Sequence, residues 1–252
     1  MNLPDISILL GVLLVTGLGV HLIQTYWPYT KRQEHGDVAG FILAGVAALY
    51  AVVLGFVVIV GWENLNSARA TTYEEADQLA NIYWMAGSLP SPRGPAIQGL
   101  TVKYADTVID KEWPLMGKGE TNREAQVLLD QIRDDVFGFT PRPGQQKALY
   151  EQALVSVNSL SAARRDRLES MGELIPEPLW EVLIVGGLLV TGFCMLFGVE
   201  NKAAHIGMVA GYAALITISL FLIKDMQYPF GGNPHVGPGA LEQFLIGIQV
   251  PH

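Results

Sequence analysis

Val38–Val60, VAGFILAGVAALYAVVLGFVVIV, runs for 23 residues without a charged side chain. At 1.5 Å per residue a helix of that length reaches about 34 Å, enough to cross the ~30 Å hydrocarbon core of a bilayer. Inside lipid every backbone amide and carbonyl must find its partner within the chain, so helix is the conformation such a run adopts. Working outward, Val182–Val199 carries no charge either, Ile6–Ile23 carries only His21, and Ala203–Ile223 only His205. One such run is compatible with a buried core helix of a soluble protein; four are not. The expected fold class is therefore all-α: four transmembrane helices in two hairpins around a central soluble helical domain.

The spacing of the runs sets the organisation. Residues 1–61 form a first hairpin, with spans at about 6–26 and 38–61; residues 62–178 form the soluble domain; residues 179–223 form a second hairpin, with spans at about 179–199 and 203–223; and residues 224–252 form a tail. An even number of spans on each side puts both termini and the domain on one face of the membrane. Ile6–Ile23 lacks the positive flank and the small-residue cleavage site of a signal peptide, and Tyr26-Trp27-Pro28-Tyr29 reads as an interfacial aromatic group. Within the domain, span two is expected to continue as one helix to Leu89, followed by helices over Ala96–Trp113, from a capping box at Thr121-Asn122-Arg123-Glu124 to about Val136, and over Gln145–Met171.

Composition excludes several classes of function. The chain has 24 acidic against 16 basic residues, a net charge of −8, which argues against nucleic acid as a partner. The single Cys194 lies within a span, so neither a disulfide nor a cysteine metal site is expected. No HExxH, GxSxG or phosphate-binding glycine loop occurs, and no enzyme activity, metal or cofactor is expected. The domain holds 17 acidic and 12 basic residues; this reads as a solvated surface, or alternatively as an acidic vestibule that concentrates cations. Glu74, Glu75 and Asp77 read as a solvated helix face rather than a divalent-ion site. Arg164, Arg165 and Arg167 fit either lipid phosphates or the charge preference of a helix C-terminus. His21 and His205 read as interfacial imidazoles. Lys31, Arg32 and Lys202 in the short loops do not outweigh the basic residues on the other face, so charge bias leaves orientation open.

Span two carries two further patterns. Ala47, Ala51 and Gly55 recur at four-residue spacing, as do Gly207 and Gly211 in span four, and small residues in such stripes let helix backbones approach closely. On another face lie Val52, Phe56, Ile59 and Glu63. An apolar stripe ending in a carboxylate at the water boundary suits a dewetting gate with an acidic mouth. The competing reading is a face that meets lipid or a neighbouring helix.

Several short stretches carry a family resemblance: Tyr50 to Val60 running into Trp62; Glu74-Glu75-Ala76 through Leu79 and Tyr83 to Leu89-Pro90; Glu112-Trp113-Pro114-Leu115-Met116; Arg167-Leu168 with Ile175-Pro176 and Leu179-Trp180; and Pro229-Phe230-Gly231. In their order and spacing around four spans the chain resembles the bestrophin-like family of bacterial membrane proteins over nearly its whole length. The resemblance implies kinship with bestrophins, oligomeric ion channels whose second span lines a narrow apolar neck. Leu54-Gly55-Phe56 followed by Val57 and Trp62 is similar to the bestrophin pore helix, and carried over by position it makes Phe56 a neck residue with Val52 one turn before it. The expected site is thus Val52, Gly55, Phe56, Ile59 and Glu63 as pore and gate, with Trp113, Pro114, Pro176, Trp180, Pro229, Phe230 and Gly231 as structural motif residues. The partners implied are the lipid bilayer, inorganic ions and further copies of the same chain, a pentamer by resemblance. The location implied is a bacterial inner membrane, with the domain on the cytoplasmic side. Two departures stand out. Calcium-controlled bestrophins carry an acidic run after Pro-Phe-Gly where this chain has Gly232-Asn233-Pro234-His235, and only one aromatic occupies the neck stripe. The rival expectation is a non-conducting membrane sensor or scaffold whose helical domain binds a ligand or protein partner.

Overall fold

A computed structural model describes residues 3–27, 32, 36–172 and 175–249. Among them there is no strand, and four helices have the length and composition to cross a membrane. They are α1 (Leu3–Tyr26), α2 (Gly36–Ala86), α7 (Glu177–Leu196) and α8 (Lys202–Met226). The all-α, four-span expectation holds. Pro28, Tyr29 and Lys31 lie outside the described residues. The chain divides into two compact units: Met1–Trp62 with Ile175–Gln227, and Glu63–Leu174 with Tyr228–His252.

In the first unit α1 and α8 lie antiparallel, and a polar pair marks each end of their contact. Lys224 reaches Asp5 at 3.5 Å, and the Gln24 amide donates to Nδ1 of His205 at 2.8 Å. Nineteen positions separate the two pairs on either helix, 5 to 24 and 205 to 224, which as helix is about 28 Å, close to the thickness of the hydrocarbon core. His205, at one end of this contact, is buried, and its Nε2 lies 3.1 Å from the Cys194 carbonyl. Since a carbonyl only accepts, Nε2 carries the proton and Nδ1 receives the Gln24 amide. His21 is exposed. Arg32 donates to the Phe197 carbonyl at 2.9 Å, a cation on the orphan carbonyls at the end of α7.

Helix α2 joins this unit through one face. Tyr50 packs so closely on α7 that a Cβ at Gly186 would lie 2.7 Å from its ring, and its hydroxyl donates to the Leu183 carbonyl at 3.0 Å. Tyr50 forms a buried cluster with Val190 and Ile216, flanked by Leu54 and Val46. Of the small-residue stripes, Ala47 packs against that cluster, whereas a Cβ at Gly55, Gly207 or Gly211 would meet nothing within 4 Å and Ala51 is exposed.

The second unit comprises the rest of α2, α3 (Arg93–Thr107), a π turn (Val108–Glu112), α4 (Trp113–Met116), α5 (Arg123–Phe137), α6 (Gln145–Glu169) and α9 (Gly239–Gln249). In α5 the apolar residues Ala125, Leu128, Leu129, Ile132 and Val136 recur at helical spacing and are buried, while charges fill the opposite face. The capping box takes a different form from the one expected. Asn122, not Thr121, caps α5 by accepting from the Glu124 amide at 2.7 Å, and Glu124 turns away to pair with Lys111 at 2.6 Å. The return bond to the cap's own amide comes from Glu112, whose Oε1 accepts from Asn122 N at 3.1 Å. The tail contributes α9, where Ala240, Leu241 and Phe244 are buried in the unit's core and Phe244 meets Tyr83 edge-on. That helix was legible in the spacing of Ala240, Leu241, Phe244, Leu245 and Ile248 behind Pro238.

Candidate functional site

The stripe on α2 stands open. Val52, Phe56 and Ile59 are 55%, 64% and 54% exposed, and Gly55 beside them has no neighbour within reach of a Cβ. Glu63, one turn on in the same helix, is also exposed. Covering these residues with lipid or protein removes a ridge of large apolar side chains from water, which for each fully buried side chain contributes about 1.5–3 kcal/mol. In the same unit a groove of about 560 Å³ between α1, α7 and α8 is lined by Val15, Thr16, Gly187, Thr191 and Thr217 among others, with no charged residue.

The second unit hides what the sequence reading placed on its surface. Glu75, Glu112, Arg164 and Arg167 are almost wholly buried, as is Tyr104. Glu75 and the two arginines are therefore neither a solvated face nor a lipid-phosphate contact; Arg165 is the exposed member of its group, and Glu74 is exposed as well. The reason lies in helix phase. On α2 a buried row runs Leu65, Ala68, Thr72, Glu75, Leu79, Ile82 and Ala86, with Ala76 beside it, and on α6 one runs Ala153, Val157, Leu160, Arg164 and Arg167, with Ser156 and Ala163 beside it. Alternating steps of three and four put each charged residue on the stripe facing the core. A carboxylate or guanidinium within such a stripe was the available signal.

Burying charges is costly unless they are paired and fully hydrogen-bonded, and this cluster meets both conditions. Arg164 grips Glu112 through both amino groups, at 2.6 and 2.7 Å. Arg167 donates to both oxygens of Glu75, at 2.5 and 3.0 Å, and to Oε2 of Glu112 at 2.9 Å. The Tyr104 hydroxyl donates to Glu75 at 2.5 Å. Two carboxylates thus face two guanidiniums, and the group is formally neutral. For Glu112, burial pushes the carboxyl up, but the hydrogen bonds from Arg164 and the charges of Arg167 and Arg164 outweigh it and hold the group below the usual carboxylate range. Burial and the adjacent Glu75 push the Tyr104 phenol well above its ordinary value.

The π turn is what admits Glu112. The core-facing phase of α3 passes through Ile97, Thr101, Tyr104 and Val108; the wider turn then adds a residue, so that Lys111 points to solvent and Glu112 points inward.

Five of the seven motif residues converge beside this cluster. The Trp113 ring lies 5.2 Å from the Arg167 guanidinium and meets Phe230 edge-on at 5.5 Å, and its indole N–H donates to the Val236 carbonyl at 3.2 Å. Pro114 occupies the first turn of α4, where its missing N–H has no partner to lose. The Pro229 carbonyl accepts from Val236 N at 2.7 Å. A Cβ on Gly231 would sit 2.6 Å from the Gly117 carbonyl oxygen, so only glycine fits where the two turns cross. The other two lie in the first unit: Pro176 caps α7, and the Trp180 indole donates to Gln227 at 3.1 Å.

Among the described residues no group of His, Cys, Asp or Glu could hold a metal. The cluster's chemistry is that of a neutral ionic clasp. A family model described as a Bestrophin-like domain matches residues 10–241. No curated protein and no solved structure matches the chain.

Proposed function

Starting from the chain's membership of the bestrophin-like family, we propose that it is a homo-oligomeric ion channel whose helix α2 lines the conduction path. The observation that carries this reading is the open face of α2, where Val52, Phe56 and Ile59 are more than half exposed while Tyr50 on the other face is locked against α7. In this reading the four spans of one copy are too few to wall an axial conduit. Several copies with α2 turned inward close one, narrowed by Phe56 and its neighbours at Val52 and Ile59, with Gly55 allowing close approach. An apolar constriction of this kind conducts only when wetted. Glu63 stands at the mouth, and the acidic second unit inclines the path toward cations. Lipid covers the remaining apolar faces, and the soluble unit and both termini face the cytoplasm of a bacterial inner membrane.

Planar-bilayer recording of the purified protein tests this. Steady unitary currents are expected, larger in Phe56→Ala than in wild type. A monodisperse oligomer that stays silent in both forms removes the channel reading. A second reading, a membrane sensor or scaffold that docks a ligand or protein partner, draws on the large apolar side chains of Tyr73, Trp84 and Ile246 that the second unit leaves exposed. A monomer by light scattering after size exclusion favours it, because one copy cannot form the conduit.

A further inference from the structure

We infer that the second unit carries a binding pocket for a phosphoryl oxyanion, built where α2 meets the loop that follows Pro229-Phe230-Gly231. A concavity of about 190 Å³ opens there, with room for a polyatomic ion and its water. Arg69, Thr72 and Tyr73 line one side, His235 and the start of α9 the other.

The charges are one-sided in an acidic chain. Arg69 is the charged side chain that lines the pocket, the His235 imidazole adds a nitrogen donor, and no carboxylate lines it. Among the described residues, no ion pair engages Arg69, and no hydrogen bond engages the Tyr73 hydroxyl or the His235 ring. Arg69 and Tyr73 stand four residues apart on one helix and so project from the same face. Thr72 offers no proton, because its hydroxyl already donates to the Ala68 carbonyl at 2.8 Å. Opposite, the first backbone bonds of α9 run from Leu241 and Glu242 to the Pro238 carbonyl, leaving the Gly239 and Ala240 amides without an acceptor among the described residues. A guanidinium fork, a phenol, an imidazole and two free amides form a donor set with few acceptors. A tetrahedral oxyanion supplies acceptors in several directions at once, and arginine matches phosphate geometry through paired N–H groups. The exposed Arg69 supplies long-range attraction, and the helix start supplies fixed donors.

The pocket's chemistry suits inorganic phosphate and a lipid headgroup phosphate alike, and the inference holds whether or not the chain conducts. The test uses full-length protein, titrated with sodium phosphate against sodium chloride at constant ionic strength, in nanodiscs of phosphatidylcholine alone and with added phosphatidylglycerol. Calorimetry and thermal shift are read for wild type, Arg69→Gln, His235→Gln and Tyr73→Phe. Saturable stabilisation by phosphate that Arg69→Gln weakens tenfold or more, with smaller losses in the other two, establishes the site for a free anion; the tenfold expectation follows from losing a charge-assisted bond at about 1.4 kcal/mol or more. Stabilisation by phosphatidylglycerol alone, likewise lost in Arg69→Gln, establishes it for a headgroup. All three positions are at the surface, and an unchanged elution volume verifies folding for each variant. No stabilisation from either source, or the same response in wild type and all variants, overturns the inference.

Discussion

Arg167→Met takes one cation out of a cluster in which two carboxylates are balanced by two guanidiniums. Glu112 keeps its two bonds from Arg164, at 2.6 and 2.7 Å. Glu75 fares worse: it loses both bonds from Arg167 and retains only the Tyr104 hydroxyl. The variant thus leaves one carboxylate buried with its negative charge uncompensated, and removing one partner of a buried pair costs about 3–5 kcal/mol. For a chain of this size, each kcal/mol corresponds to roughly 2–4 °C, so the expected fall in melting temperature is about 6–20 °C. Intrinsic fluorescence at a fixed heating rate in detergent measures it, with Trp113 stacked on the Arg167 guanidinium as a local reporter. Arg165→Met, two residues away and exposed, is the control and is expected within about 0.5 kcal/mol of wild type. Adding Glu75→Leu to Arg167→Met removes the stranded charge and is expected to recover about 2 kcal/mol, a coupling of the size found between residues in contact. An Arg167→Met protein that melts with the Arg165→Met control refutes the claim that this cluster holds the unit together.

Two other perturbations read the same region. Because Glu112 sits below its unfolded value of 4.5, it stabilises the fold above that pH, and the contribution is lost as pH falls through the depressed folded value. Melting temperature is therefore expected to drop steeply below about pH 4.5, with a shallower drop in Glu112→Gln; parallel slopes for the two proteins contradict the assignment. Gly231→Ala places a methyl 2.6 Å from the Gly117 carbonyl oxygen, where backbone must move, and is expected to cost about 1–3 kcal/mol in thermal stability. Wild-type stability in that variant contradicts the crossing of the two turns.

Hydrophobic length made the four spans legible, since Val38–Val60 and its three counterparts leave the backbone no alternative in lipid. The cluster was legible only in fragments. Glu75, Glu112 and Arg167 each fall in one of the short stretches that carry the family resemblance, but nothing local announces that residues 92 and 55 positions apart share hydrogen bonds. Each taken alone resembles a surface charge, and only its phase against Leu79 or Leu160 says otherwise. The cap on α5 was misplaced by one residue for a related reason: the reciprocal bond comes from Glu112, ten residues back, instead of from Glu124. The outward stripe of Val52, Phe56 and Ile59 was readable as a face, whereas its covering is a property of neighbours that one chain does not contain.

The π turn over Val108–Glu112 ends on the carboxylate that Arg164 grips, so the chain cannot lose that last residue. Deleting Glu112 would put Lys111 next to Trp113 in its place, which would present a lysine rather than a carboxylate to Arg164 and set two cations against each other in the dry interior. The Lys118–Thr121 stretch that follows carries no such constraint, because its residues lie between helices and are exposed. Among natural variants of this chain, gains and losses of single residues should therefore accumulate after Gly117, while loss of the residue just before Trp113 is purged.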